Sequence, residues 1–186
     1  MERLETRLEG PILIAPRVIG DERGFFCETY RRSVFSELGI PEEMVQDNHS
    51  RSRRGVVRGM HLQVGDGVAK LIRCARGAIL DVVVDVRHRS PTFGEWEAFE
   101  LTDENMRLVY CPVGFAHGFC TLEPDTEVEY KVSAFYSREH DMGIHWNDPA
   151  LAIAWPVAPE RATLSDKDKR NPVLAELPRV FSYPAR

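Results

Sequence analysis

No stretch of the chain approaches the roughly 18 consecutive apolar residues that a membrane-spanning helix needs. The first ten residues, MERLETRLEG, carry charges where a secretory signal would be apolar. Both absences lead to the expectation of a cytoplasmic protein with no membrane partner. Cysteine is scarce: Cys27, Cys74, Cys111 and Cys120 are the four, and no two stand as C-x-x-C. The expected role is the buried free thiol, in preference to a disulfide framework, a metal site or a redox site. Basic clusters are lacking too. The formal net charge is −5 and the basic residues are dispersed, so a nucleic-acid partner is not expected. Internal repeats and low-complexity tracts are also missing.

What is present suits one domain, residues 1–186, with a sizeable core. Hydrophobic residues make up 43% and charged residues 28%, ordinary values for a globular chain. Short segments rich in Val, Ile, Phe and Tyr alternate with Gly, Pro or charged turns. They are predicted as strands at 10–19, 24–30, 56–63, 69–74, 78–86, 95–101, 106–111, 117–122 and 126–133. One short helix is predicted at 31–38, stopped by Gly39. This is an all-β pattern: a sandwich, jelly roll or small barrel. From Pro149 onward, Pro149, Pro156, Pro159, Pro172, Pro178 and Pro184 break the chain into turns and short helices. That segment is expected to cover the barrel and not to form a second domain.

In Asp81–Val86 (DVVVDV) alternation puts Asp81, Val83 and Asp85 on one face and Val82, Val84 and Val86 on the other. Arg76-Gly77 reads as a tight turn, which would pair 70–74 with 79–83 and bring Asp81 diagonally near Lys70. An inward carboxylate and an inward ammonium would each need the other, since unpaired buried charge is costly.

Two segments carry the chemistry. Gly55-Val56-Val57-Arg58-Gly59-Met60-His61-Leu62-Gln63 and Pro112-Val113-Gly114-Phe115-Ala116-His117 resemble the two cupin motifs, G-x5-H-x-H and P-x-G-x2-H. His61 and His117 are kept. Gln63 stands where the second motif histidine would be, no Glu lies between Gln63 and Lys70, and a cation is added at Lys70. An ammonium repels a divalent cation, so no metal is expected. A neutral imidazole takes a proton at neutral pH, a cation stabilises an oxyanion, and a phenol returns a proton. These parts suit proton abstraction beside a carbonyl.

The resemblance becomes specific when five further segments are added. They are Asp21–Phe26 (DERGFF), Val45–Ser50 (VQDNHS), Ser90–Gly94 (SPTFG), Ile144–Pro149 (IHWNDP) and Leu164–Asp168 (LSDKD). Together with the two segments above, in this order, they resemble the dTDP-4-dehydrorhamnose 3,5-epimerase family over about residues 15–172. The resemblance implies a cupin-type jelly roll, a homodimer, no cofactor, and epimerisation at C3 and C5 of a dTDP-linked 4-keto-6-deoxyhexose. It implies His61 as base, oriented by Asp168, Tyr130 as the opposing acid and Lys70 beside the enolate oxygen. Arg23, Glu28, Gln46, Asn48, Arg58, His117 and Lys167 would hold nucleotide, diphosphate or sugar. Phe25 or Phe26 would stack on the pyrimidine, and forked arginine donors suit a diphosphate. Asp141 stands where the family commonly has Glu, a shorter arm beside base or diphosphate. Met60 replaces the usual Leu, a volume-conserving change.

Strict alternation puts His61 and Gln63 inside but Arg58 outside. Either Gly59 marks a bulge or the site includes a subunit boundary. Asp168, read without the motif, is a solvated turn residue. Arg51, Arg53 and Arg54 read as a solvated loop. His49, His88, His140 and His145 read as structural or exposed, and Trp96, Trp146 and Trp155 as packing residues. Five functions remain open: the double epimerase, a single-site epimerase on a related sugar, a keto-isomerase on the same sugar class, a nucleotide-sugar-binding cupin without chemistry, and a metal dioxygenase cupin.

Overall fold

The computed structural model describes residues 1–183; Pro184 lies outside the described residues. The strands in chain order are β1 (Glu2–Leu4), β2 (Ile12–Ala15), β3 (Val18–Asp21) and β4 (Gly24–Cys27), then a helix, α1 (Arg32–Glu37). There follow β5 (Gln46–Ser52), β6 (Val57–Gln63), β7 (Lys70–Arg76), β8 (Ala78–Asp85) and β9 (Trp96–Thr102). The set ends with β10 (Leu108–Cys111), β11 (Phe115–Thr121), β12 (Thr126–Val132) and β13 (Asp141–Gly143). Three 3-10 turns follow, at Pro159–Arg161, Asp168–Arg170 and Leu174–Glu176.

Two antiparallel sheets form the barrel walls, in the orders β1-β2-β10-β7-β12-β5 and β13-β6-β11-β8-β9. The inner core holds Ile72, Ile79, Val83, Leu101, Phe119 and Val128 from both walls. The other face of β8 places Val82 and Val84, with Val86 just beyond the strand, against Leu151, Ile153 and Leu174 of the C-terminal segment. The DVVVDV alternation and the covering role of the tail therefore both hold. Helix α1 lays Phe35 over Ile12, Ile14, Leu71 and Leu108 on the outside of the other wall. A third sheet, β3-β4, stands apart as a hairpin arm whose residues are almost all exposed.

Two expectations change. Residues 10–19 are not one strand: Pro16-Arg17 breaks them into β2 of the barrel and β3 of the arm. The β7-β8 hairpin does not form either. Strand β7 lies between β10 and β12, and β8 between β11 and β9. Gly77 is a crossover between walls, tied down by its exchange with Asp103: its N–H donates to Asp103 Oδ2 (2.9 Å) and its carbonyl accepts from Asp103 N–H (3.1 Å). Each strand buries one face in the shared core, so facing each other across the barrel satisfies both better than pairing edge to edge.

Candidate active site

The barrel mouth opens into a cavity of about 840 Å³. One wall supplies His61 from β6 and His117 from β11, which are direct partners across the ladder. The opposite wall supplies Lys70 from β7, Tyr130 from β12, and Gln46 and Asn48 from β5. Tyr130 lies level with Asn48 and Ile72 in that wall.

His61 Nε2 is 2.7 Å from Asp168 Oδ1. An ionised carboxylate only accepts, so Nε2 donates, and in the neutral ring Nδ1 is the nitrogen with the free lone pair. Asp168 is not solvated: it is 3% exposed. Its backbone N–H donates to Ser165 Oγ (3.1 Å), which fixes the turn. Burial works to raise its pKa, but hydrogen bonds from His61, the Gly59 amide and Ser165 outweigh that and hold it below the usual carboxylate range. The carboxylate is thereby ready to stabilise an imidazolium.

His117 Nε2 is 2.7 Å from Asp81 Oδ2, and both groups are buried. Burial depresses the basicity of His117, so the ring is neutral near pH 7. Asp81 does lie on the inner face, but its diagonal ladder neighbour is His117 and not Lys70. Lys70 Nζ donates to the His61 carbonyl (3.1 Å), and burial pulls its ammonium below the usual lysine value. Burial pushes the Tyr130 phenol up, which keeps it protonated. Cys74 and Cys111 are pushed up to about 12 by burial, as inert thiols are.

The position of Arg58 is explained by a bulge. His117 pairs with His61 and Phe119 with Arg58, so three steps on β6 oppose two on β11. The extra residue falls at Gly59-Met60 and turns Arg58 inward, where its Nε donates to Ser52 Oγ (3.2 Å). Gly59 has φ +148°, and a Cβ there would sit 2.5 Å from Gly118 Cα. Asp141 accepts from the Tyr136 hydroxyl (3.0 Å) and from the Lys167 ammonium. It links the rim loop to the segment bearing Asp168. Gln63 has left the metal-ligand role: its amide holds Phe135 O and Ser137 N in that loop.

Three predicted substrate contacts do not reach this cavity. Arg23 pairs with Asp21 on the arm, Glu28 pairs with Arg31 (2.6 Å), and Phe26 is 68% exposed. The arm leaves the barrel at Pro16, and its residues are not among those that line the cavity. Conversely, Ser52, Arg51, Arg53, Tyr136 and Ser165 line the cavity and were missed. Arg51 belongs to a strand, not a solvated loop; the all-polar sequence QDNHSRS hid β5. Ser165 had a signal, Ser-x-x-Asp at the head of a turn. Tyr136 had none.

Comparison with known proteins is consistent with this geometry. The family model for dTDP-4-dehydrorhamnose 3,5-epimerase matches residues 5–176. A dTDP-4-dehydrorhamnose 3,5-epimerase of Sinorhizobium fredii is 49% identical over 173 residues, covering 92% of this chain and 88% of that one. The chain belongs to the dTDP-4-dehydrorhamnose 3,5-epimerase family. The family fold, a cupin jelly roll, is the fold found here. A solved family member, the dTDP-6-deoxy-D-glucose-3,5-epimerase of Legionella pneumophila in complex with dTDP-4-keto-L-rhamnose, superposes with a TM-score of 0.95. It is 40% identical and the match covers 99% of both chains. A 3'-monoepimerase of Streptomyces bikiniensis in complex with dTDP-quinovose superposes with a TM-score of 0.85 at 37% identity, covering 91% and 86%.

Proposed function

We propose that this chain epimerises dTDP-4-dehydro-6-deoxy-D-glucose at C3 and C5, giving dTDP-4-dehydro-L-rhamnose. One observation carries the reading: the Asp168-held imidazole of His61 stands on one wall of the cavity, and Tyr130 and Lys70 stand on the other. The 4-keto group acidifies the hydrogens on both neighbouring carbons. His61 Nδ1 takes such a hydrogen as a proton, and Asp168 stabilises the imidazolium. The Lys70 ammonium faces the charge that develops on the carbonyl oxygen. Tyr130 returns a proton from the opposite side, which inverts the centre. No oxidation state changes, so the chemistry calls for no cofactor.

Arg53, Arg58 and Lys167, which line the cavity, are the cations offered to a diphosphate. The Tyr136 ring at the rim is better placed for a pyrimidine than Phe25 or Phe26. Gln46, Asn48 and His117 offer the sugar hydrogen-bonding partners, and Asp141 sets the reach of Lys167. Nucleotide binding energy holds a small sugar at the distance proton transfer needs. Residues 1–186 are read as one catalytic domain acting in the cytoplasm. Among the described residues no helix is long and apolar enough to cross a membrane.

The same reading includes a homodimer. The arm presents Val18, Ile19, Phe25 and Phe26 at 45–68% exposure, an apolar surface that a second copy would cover. Arg23, Phe26 and Glu28 would then serve a partner's cavity. Light scattering is expected to give two chain masses, and one mass with reduced turnover for Phe25→Ser/Phe26→Ser.

Incubation with dTDP-4-dehydro-6-deoxy-D-glucose in D2O, followed by NMR, tests the reaction. Deuterium is expected at both C3 and C5. Deuterium at one carbon alone would favour the single-site reading, which the monoepimerase relative supports. Binding without any exchange would leave a cupin that only holds the nucleotide sugar.

A further inference from the structure

We propose that Asp81 is the counter-charge that keeps Lys70 protonated inside the barrel, making it a positioning residue for the cation that faces the enolate. This rests on the role proposed above for Lys70. Asp168 is committed to His61, and Asp141 to Lys167 and Tyr136. Asp81 is fully buried on β8, and only its Oδ2 is used, by His117. Among the described residues its Oδ1 has no hydrogen-bond partner. A half-satisfied buried carboxylate is costly unless another interaction compensates for it.

Lys70 has the complementary deficit. Its Nζ reaches only the His61 carbonyl, and among the described residues it pairs with no carboxylate directly. The ionisable groups facing it are Cys111, its direct ladder partner on β10, then Asp81, Asp141 and Lys167. Cys111 is a neutral thiol, and Asp141 and Lys167 cancel each other. His117, which also feels Lys70 and His61, is neutral. That leaves one uncancelled negative group for the buried ammonium. Asp81 and Lys70 come from different walls of the barrel, and Asp81 is among the charges that act on the Lys70 ammonium.

The alternative role for Asp81 is to fix the tautomer of His117 and nothing more. The isosteric variant Asp81→Asn separates the two, because an amide oxygen still accepts from His117 Nε2–H while the charge is gone. Lys70 is one of four lysines in the chain, so its ε-carbon resonance is assignable by difference against Lys70→Arg. Removing an opposite charge moves a titration by about one pH unit or more. The Lys70 midpoint is expected to fall by that amount in Asp81→Asn. Lys70 acts in its charged form, so the alkaline limb of kcat is expected to move down by the same interval. An unmoved Lys70 midpoint overturns the proposal. A midpoint that moves while the limb stays supports the pairing and contradicts the role of Lys70 in the reaction. If Asp81→Asn does not fold, the wild-type chain still decides. The Asp81 carboxyl carbon is then expected to show an inflection at the Lys70 midpoint, and a flat trace there overturns the proposal.

Discussion

Replacing His61 by alanine is expected to lower turnover by about three orders of magnitude or more and to abolish solvent deuterium exchange, while dTDP binds nearly as before. The size follows from what is lost. His61 Nδ1 is the unprotonated nitrogen of the His61–Asp168 pair, and the pair is built so that charge appearing on the ring is met at once by Asp168. His117 cannot take over. Its Nε2 is tied to Asp81 and burial depresses its basicity. Binding should survive because the groups proposed to hold the nucleotide are others: Arg58, Lys167 and the rim at Tyr136. Kinetics by NMR and dTDP titration by calorimetry check the two halves separately. Parallel loss of exchange and affinity would move His61 from base to binding group.

A second large effect is expected at Gly59, this time on stability. Gly59 and Gly118 meet at backbone distance where β6 passes β11. In Gly59→Ala the new methyl meets Gly118 Cα at 2.5 Å, backbone that cannot swing aside, and φ stays at +148°. Strain of this kind costs about 1–3 kcal/mol, and forcing an atom into a closed contact costs about as much again. A loss of about 3 kcal/mol or more lowers the melting temperature of a chain this size by roughly 6–12 °C. Gly24→Ala is the control: it has φ +121° on the arm with nothing within 4 Å of the added atom. It should show the backbone strain alone. Because the bulge at Gly59 turns Arg58 inward, the Gly59 variant should also bind dTDP more weakly than its residual stability explains.

The strands with branched or aromatic alternation were legible because their pattern reports one buried face. DVVVDV is the clearest case: valines pack under the C-terminal cover, and Asp81 and Val83 face the interior. Strand β5 was not legible. Gln46–Ser52 has no apolar residue, and its inward side chains are polar because they line a cavity instead of filling a core. The β7-β8 hairpin failed for another reason. A short Gly turn usually joins neighbours in a sheet, but here it carries the chain from one wall to the other. His61, Lys70, Asp168 and Tyr130 were reached through motifs and do gather around one cavity. Arg23, Phe26 and Glu28 were reached the same way and do not, because one chain places them on an arm away from its own barrel. The bulge that rescues Arg58 was visible only as a conflict between strict alternation and the expected site.

Deuterium exchange in Tyr130→Phe is the most direct test of the two-wall arrangement. Without the phenol, His61 should still remove the hydrogen beside the ketone and return a solvent-derived one to the same face. Deuterium should therefore enter at the carbons flanking the ketone with configuration retained, while epimer formation falls by about two orders of magnitude or more. Normal epimerisation in this variant, with the fold intact, would show that no phenol across the ring is needed and would contradict the mechanism.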